Sequence, residues 1–314
     1  MQSFRASPVF ALAVLVTLAL FWLIGVMLFG GLLGLEAIAA MGHFNSLSHR
    51  IHDLTYAFLF GTAVVGMLAQ LRTPSKNVAG QLMALIPWVG LLLAFALGNI
   101  LVVLISPPFV PIFGALTLLA TILHPTWRAL LSSFSVSQVN RAMLALVIIA
   151  AIPLLAFAST SIGLQRTVTN DHAAMGHYGY MAAFSFTVIG VGVLASLRPG
   201  GWRLTAWIAG LLPALLGLVS LLYPDINSSL GLAWALAAIA WGVLFVAAAE
   251  LTGDESRALE DTHMADGPSY PSTPRWVSVF GIIALVPILL VVINMVTGVL
   301  GSPGGHTPPI QHGP

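Results

Sequence analysis

From Pro8 to Leu35 the chain carries no charged residue, a stretch long enough to cross the hydrocarbon core of a bilayer as a helix. Within it the first spanning run covers roughly 9–35, and similar runs follow at 53–71, 82–105, 109–127, 142–163, 178–197, 204–223, 230–249 and 277–300. A segment surrounded by lipid must satisfy its own backbone N–H and C=O groups, so such runs dictate helices. With 58% of 314 residues hydrophobic and only 7% charged, one water-soluble core could not enclose the apolar surface. The expected fold is therefore all-α, a polytopic membrane helix bundle of about nine transmembrane helices whose first partner is the lipid bilayer. The first run far exceeds the core of a secretory signal, about 7–15 residues, and reads as an uncleaved anchor.

Basic residues give the expected orientation, because cytoplasmic loops carry the Lys and Arg excess. With the N-terminus in the cytoplasm, nine basic residues (Arg5, Arg72, Lys76, Arg128, Arg141, Arg198, Arg203, Arg257 and Arg275) fall inside and two, Arg50 and Arg166, outside. The C-terminus is then outside, and the expected location is a bacterial or archaeal cell membrane. The 11 Lys and Arg form no basic stripe and the net charge is +1, which argues against a nucleic-acid partner. The absence of cysteine excludes disulfides, thiolate metal sites and iron–sulfur clusters.

Two stretches repeat. Ala39-Ala40-Met41-Gly42-His43-Phe44 returns as Ala173-Ala174-Met175-Gly176-His177-Tyr178, and Leu54 to Arg72 matches Tyr180 to Arg198 at nine of nineteen positions, where chance gives about two. The registers differ by eight residues, so the first copy carries an insertion around Asn45 to His52. This predicts a 4+4 parallel internal repeat, related by an axis along the bilayer normal. Its units are a first four-helix repeat over 1–135 and a second over 136–250. An acidic cytoplasmic linker follows over 251–275, then a ninth transmembrane helix over 276–300 and a disordered outer tail over 301–314. The region from Glu250 to Arg275 holds six of the ten acidic residues, as expected of a solvated tether.

Five of the nine histidines, His43, His49, His52, His172 and His177, lie in the loops after the first and fifth runs, with Glu36, Asp53 and Asp171 nearby. On a helix starting near Ser46, His49 and His52 share a face, and Asp53, four residues from His49, is placed to orient its imidazole. Imidazole suits zinc, copper or iron, and the thioethers of Met41 and Met175 would favour copper(I). The expected metal set is His43, His49, His52, His172, His177, Met41, Met175 and Asp53. A cofactor-binding set of His49, His52 and His177 would hold a transition metal or a b-type haem. The structural alternative is ordinary: histidine tolerates the headgroup region, and Gly42 and Gly176 permit turns. His124, beside Pro125, Trp127 and Arg128, reads as a structural histidine at an interfacial helix end.

The duplicated four-helix plan resembles haem A synthase in architecture. Ser46-Leu47-Ser48-His49-Arg50 has serine where that family's Glu-x-x-His-Arg pattern has glutamate, and the eighth run has no histidine, so no residue roles carry over. No Asp, Glu, Lys or Arg lies near the middle of any expected helix, which argues against a proton-driven pump. Asn99 and Asn294 are read as buried polar residues within spans, and Pro87, Pro153, Pro213 and Pro287 as sites of kinks. The leading reading is a His-rich outer-face site that binds a metal ion or haem for redox chemistry or metal handling. The alternative is a small-solute permease or a non-catalytic assembly protein with a membrane-protein partner or a second copy of itself.

Overall fold

The computed structural model describes residues 7–29, 49–71, 73–99, 109–132 and 139–264. His43, Met41, Glu36, Asn294, the ninth run and the tail lie outside these residues. Among the described residues the fold is all-helical: α1 (Pro8–Phe29), α2 (Arg50–Ala69), α3 (Val78–Leu97), α4 (Phe109–Ile122), α5 (Trp127–Ser132), α6 (Arg141–Thr167), α7 (Asp171–Ala174), α8 (His177–Ser196), α9 (Trp202–Leu222) and α10 (Gly231–Met264). Seven of them, α1, α2, α3, α6, α8, α9 and α10, are long and apolar enough to cross a membrane.

The fourth run forms a shorter element than its hydropathy suggests. Among the described residues helix α4 covers 14 residues and stops at Ile122, about 21 Å at 1.5 Å per residue, before residue 127, to which the apolar run extends. The third helix also differs, starting at Val78 and ending at Leu97 rather than near 105. Asn99 consequently lies beyond the helix end and is exposed, not buried within a span. At the other extreme, α10 continues to Met264, so the first part of the acidic stretch is helical. Pro87, Pro153 and Pro213 sit inside α3, α6 and α9, each of which continues past its proline.

Small residues set the packing, since lipid offers no hydrophobic drive between helices and close backbone approach must supply the contact. Helices α9 and α10 pack most extensively, with Gly210 against Gly242 and Gly217 against Ala235, pairs spaced so that both fall on one seam. Gly66 of α2 meets Gly80 and Ala84 of α3, and Gly90 of α3 meets Ala183 and Thr187 of α8. Large apolar side chains such as Val89, Ile148, Ile152, Leu218 and Val243 face outward, where lipid covers them.

Helix α8 is the hub, packing on α6, α3, α9 and α2. Helices α2 and α8 run parallel: His49 meets His177, Tyr56 stacks on Tyr180 at 4.6 Å between ring centroids, and Phe58 lies by Phe184. Their N-termini therefore stand side by side at one end of the bundle, hereafter the histidine end.

Candidate metal centre

Helix α2 begins immediately after His49, its N-cap residue, so His49 and His52 occupy the first turn, three residues apart on one face. The other two histidines come from the connection between α6 and α8, which is closely specified. Asn170 caps the one-turn helix α7, its Oδ1 accepting from Ala173 N at 3.0 Å and its Nδ2 donating to the Tyr178 hydroxyl at 3.2 Å. After α7 the chain must reverse into α8 within two residues, and Gly176 does so with φ of 75°, in the left-handed region glycine enters without steric cost.

Gln165, buried in the last turns of α6, ties this connection down. Its Nε2 donates to Ala173 O at 2.6 Å, and its Oε1 accepts from Gly179 N at 3.1 Å. One side chain thus holds the segment carrying His172 and satisfies an N–H in the first turn of α8, where helical backbone donors lack intrahelical partners.

The result is a convergence of imidazoles. One ligand nitrogen from each of His49, His172 and His177 lies within 4.8 Å of the others. The Nδ1 atoms of His49 and His177 are 3.0 Å apart, and the His172 ring stacks on that of His49 at 4.3 Å. All three are buried, as is His52, whose Nε2 lies 2.7 Å from Ser228 Oγ in the loop between α9 and α10. Burial removes water from these nitrogens, so protein groups or an ion must satisfy them. Three neutral imidazoles with converging nitrogens can coordinate a first-row transition metal.

Among the described residues, neither Asp53 nor Asp171 belongs to the group formed by the trio. Asp53 is four residues beyond His49 on α2. Its carboxylate is buried, interacts electrostatically with Arg50, and its Oδ2 has no hydrogen-bond partner among the described residues. Met175 is half-buried at the end of α7 and Asp171 is exposed. Sequence reasoning missed Gln165, Asn170 and Ser228. Asn170 was discoverable as an N-cap residue ahead of a short helix, whereas Ser228 has no local signal because its partner is distant in the chain.

His124 is placed differently. It is buried at the opposite end of the bundle, near the C-terminal end of α2, against Phe10. Thr126 N donates to its Nδ1 at 3.2 Å, so the proton sits on Nε2, 3.2 Å from the acceptor Gln70 Oε1. Burial holds its pKa down at about 4, and the ring is neutral with both nitrogens used by the protein.

No protein-family model matches this chain, and neither a curated protein nor a solved structure matches it.

Proposed function

We propose that the protein binds a transition-metal ion at the histidine end through His49, His172 and His177, and acts in metal handling or redox chemistry at the membrane. The observation that carries this reading is the convergence of three buried imidazole nitrogens within 4.8 Å. Tetrahedral ligands on a first-row ion with bonds of about 2.0–2.1 Å lie about 3.3 Å from one another, close to the 3.0 Å between the His49 and His177 nitrogens, and the wider separations in the trio, up to 4.8 Å, would close by as much as about 1.5 Å around an ion.

The geometry favours an ion over haem. Trans axial nitrogens on a haem iron are separated by about 4 Å with the porphyrin between them, whereas the His49 and His177 nitrogens are 3.0 Å apart. His172, stacked on His49 at 4.3 Å, occupies space a macrocycle would need. His43, on the unit equivalent to His177 in the repeat, remains a candidate additional ligand, as do Met41 and Met175. The parallel course of α2 and α8 supports the 4+4 repeat. With the Lys and Arg bias it also supports a site on the outer face, with the N-terminus inside.

For a small-solute permease the candidate path elements are Asn99 and the proline-kinked helices; Asn99 lies exposed past the end of α3, while Pro87, Pro153 and Pro213 lie within α3, α6 and α9. Elemental analysis and an optical spectrum of purified protein, reconstituted with zinc, copper or iron, test the metal reading. Bound metal that disappears in His49→Ala and His177→Ala supports it; preparations that take up no metal count decisively against it.

A further inference from the structure

Four imidazoles, not three, meet at the histidine end. Ring centroids are separated by 4.3 Å for His49 and His172, 4.8 Å for His49 and His177, 4.9 Å for His52 and His172, 5.1 Å for His52 and His177, and 5.5 Å for His172 and His177. In a tetrahedral complex of four imidazoles each centroid stands about 3.2 Å from the ion, and any two are about 5.2 Å apart. A trans pair in a square-planar complex would be separated by about 6.4 Å. These five of the six separations lie within about 1 Å of the tetrahedral value, and the longest is well short of the trans value; the near-parallel pairs His49–His172 (14°) and His52–His177 (19°) must turn for their in-plane lone pairs to meet at one ion.

His52 lies outside the converged trio, and its Nε2 is turned to Ser228 Oγ at 2.7 Å. That is the arrangement an imidazole ligand requires: one nitrogen gives its proton to a neighbouring acceptor, which fixes the tautomer and leaves the other nitrogen's lone pair for the metal. Ser228 is buried, and its backbone has φ of 71°, a left-handed conformation that is uncommon for a residue other than glycine. Such strain persists where the surroundings over-determine it, and it clusters at functional sites.

We infer that His52 supplies a fourth ligand through Nδ1, with Ser228 as its positioning residue, so that the site takes a tetrahedral divalent ion of the zinc class. This rests on the three-histidine reading above and deepens it. A centre with four protein ligands keeps no open position for a substrate, the mark of a closed rather than a hydrolytic zinc site. The ion would fasten α2, the α6–α8 connection and α8, and through Ser228 the loop between α9 and α10.

Cobalt(II) titration of the full-length protein in detergent tests this, because four-coordinate cobalt gives intense visible ligand-field bands that report both geometry and affinity. Wild type should give a tetrahedral spectrum. His52→Ala should bind more than about 10-fold more weakly, with an altered spectrum as water replaces the imidazole. Ser228→Gly, which relaxes the backbone and removes the hydroxymethyl group, should weaken binding about 10- to 100-fold without lowering the thermal midpoint of the metal-free protein. Ser228→Asn, which tolerates positive φ and offers an acceptor oxygen, should recover part of that loss. If His52→Ala and Ser228→Gly bind cobalt as wild type does while His177→Ala does not, the fourth ligand is refuted and the three-histidine site stands. If wild type itself takes up neither cobalt nor zinc, both readings fall.

Discussion

The two ends of the bundle each bury histidine, and they use it in opposite ways. At the His124 end a single imidazole has both nitrogens occupied by the protein, Nδ1 by Thr126 and Nε2 by Gln70, in a network that Gln70 extends to Asn77 O at 3.0 Å. At the other end one ligand nitrogen from each of His49, His172 and His177 lies within 4.8 Å of the others, and the Nδ1 atoms of His49 and His177 hydrogen-bond to each other at 3.0 Å, so the partners there are themselves groups able to ligate an ion. A buried histidine is thus informative when its partners are other ligand-bearing side chains, and uninformative when amides and hydroxyls already saturate it.

The largest expected contrast is in metal affinity. His177→Ala should weaken zinc binding by more than about 100-fold, exceeding the loss typical of an outer-sphere partner, while His124→Ala should leave affinity unchanged. Competition against a chromophoric chelator measures both. Equal losses in the two variants would erase the distinction between the ends.

Stability should show the reverse order in the metal-free protein. His124→Ala leaves Gln70 Oε1 buried without its donor, at a cost of about 1–3 kcal/mol, which a thermal melt in detergent would register. Gln165→Leu should cost a similar amount, since two buried bonds are lost, and should also weaken zinc binding by loosening His172 and His177. That dual effect separates Gln165 from His124.

Acid sharpens the comparison further. His124 has a folded pKa of about 4 against an ordinary 6.5, so between those values the unfolded chain binds the extra proton and the folded chain does not. Its contribution is fully present above about pH 6.5 and is lost as pH falls toward 4. Wild type should therefore lose more stability across this window than His124→Gln, measured without metal. The smallest effect expected is for Asn170→Ala, about 1 kcal/mol for a lost cap, with a modest fall in zinc affinity.

Much of this was legible in the chain. Hydropathy located seven of the spans because lipid imposes one requirement on every segment. The histidine end emerged because its residues cluster in two loops; the sequence repeat, however, pairs His177 with His43 rather than with His49. The length of α4 was not legible, since an apolar run does not reveal where a helix stops. Nor was the link between His52 and Ser228, which are 176 residues apart and are brought together only by the packing of α2 against α9 and its following loop.

The central claim is most directly tested by metal content. Full-length protein loaded with zinc, desalted and assayed by elemental analysis should retain one ion per chain, His49→Ala and His177→Ala should retain none, and His124→Ala should match wild type. Wild type that emerges without zinc, or histidine-end variants that hold as much as wild type, would contradict the account.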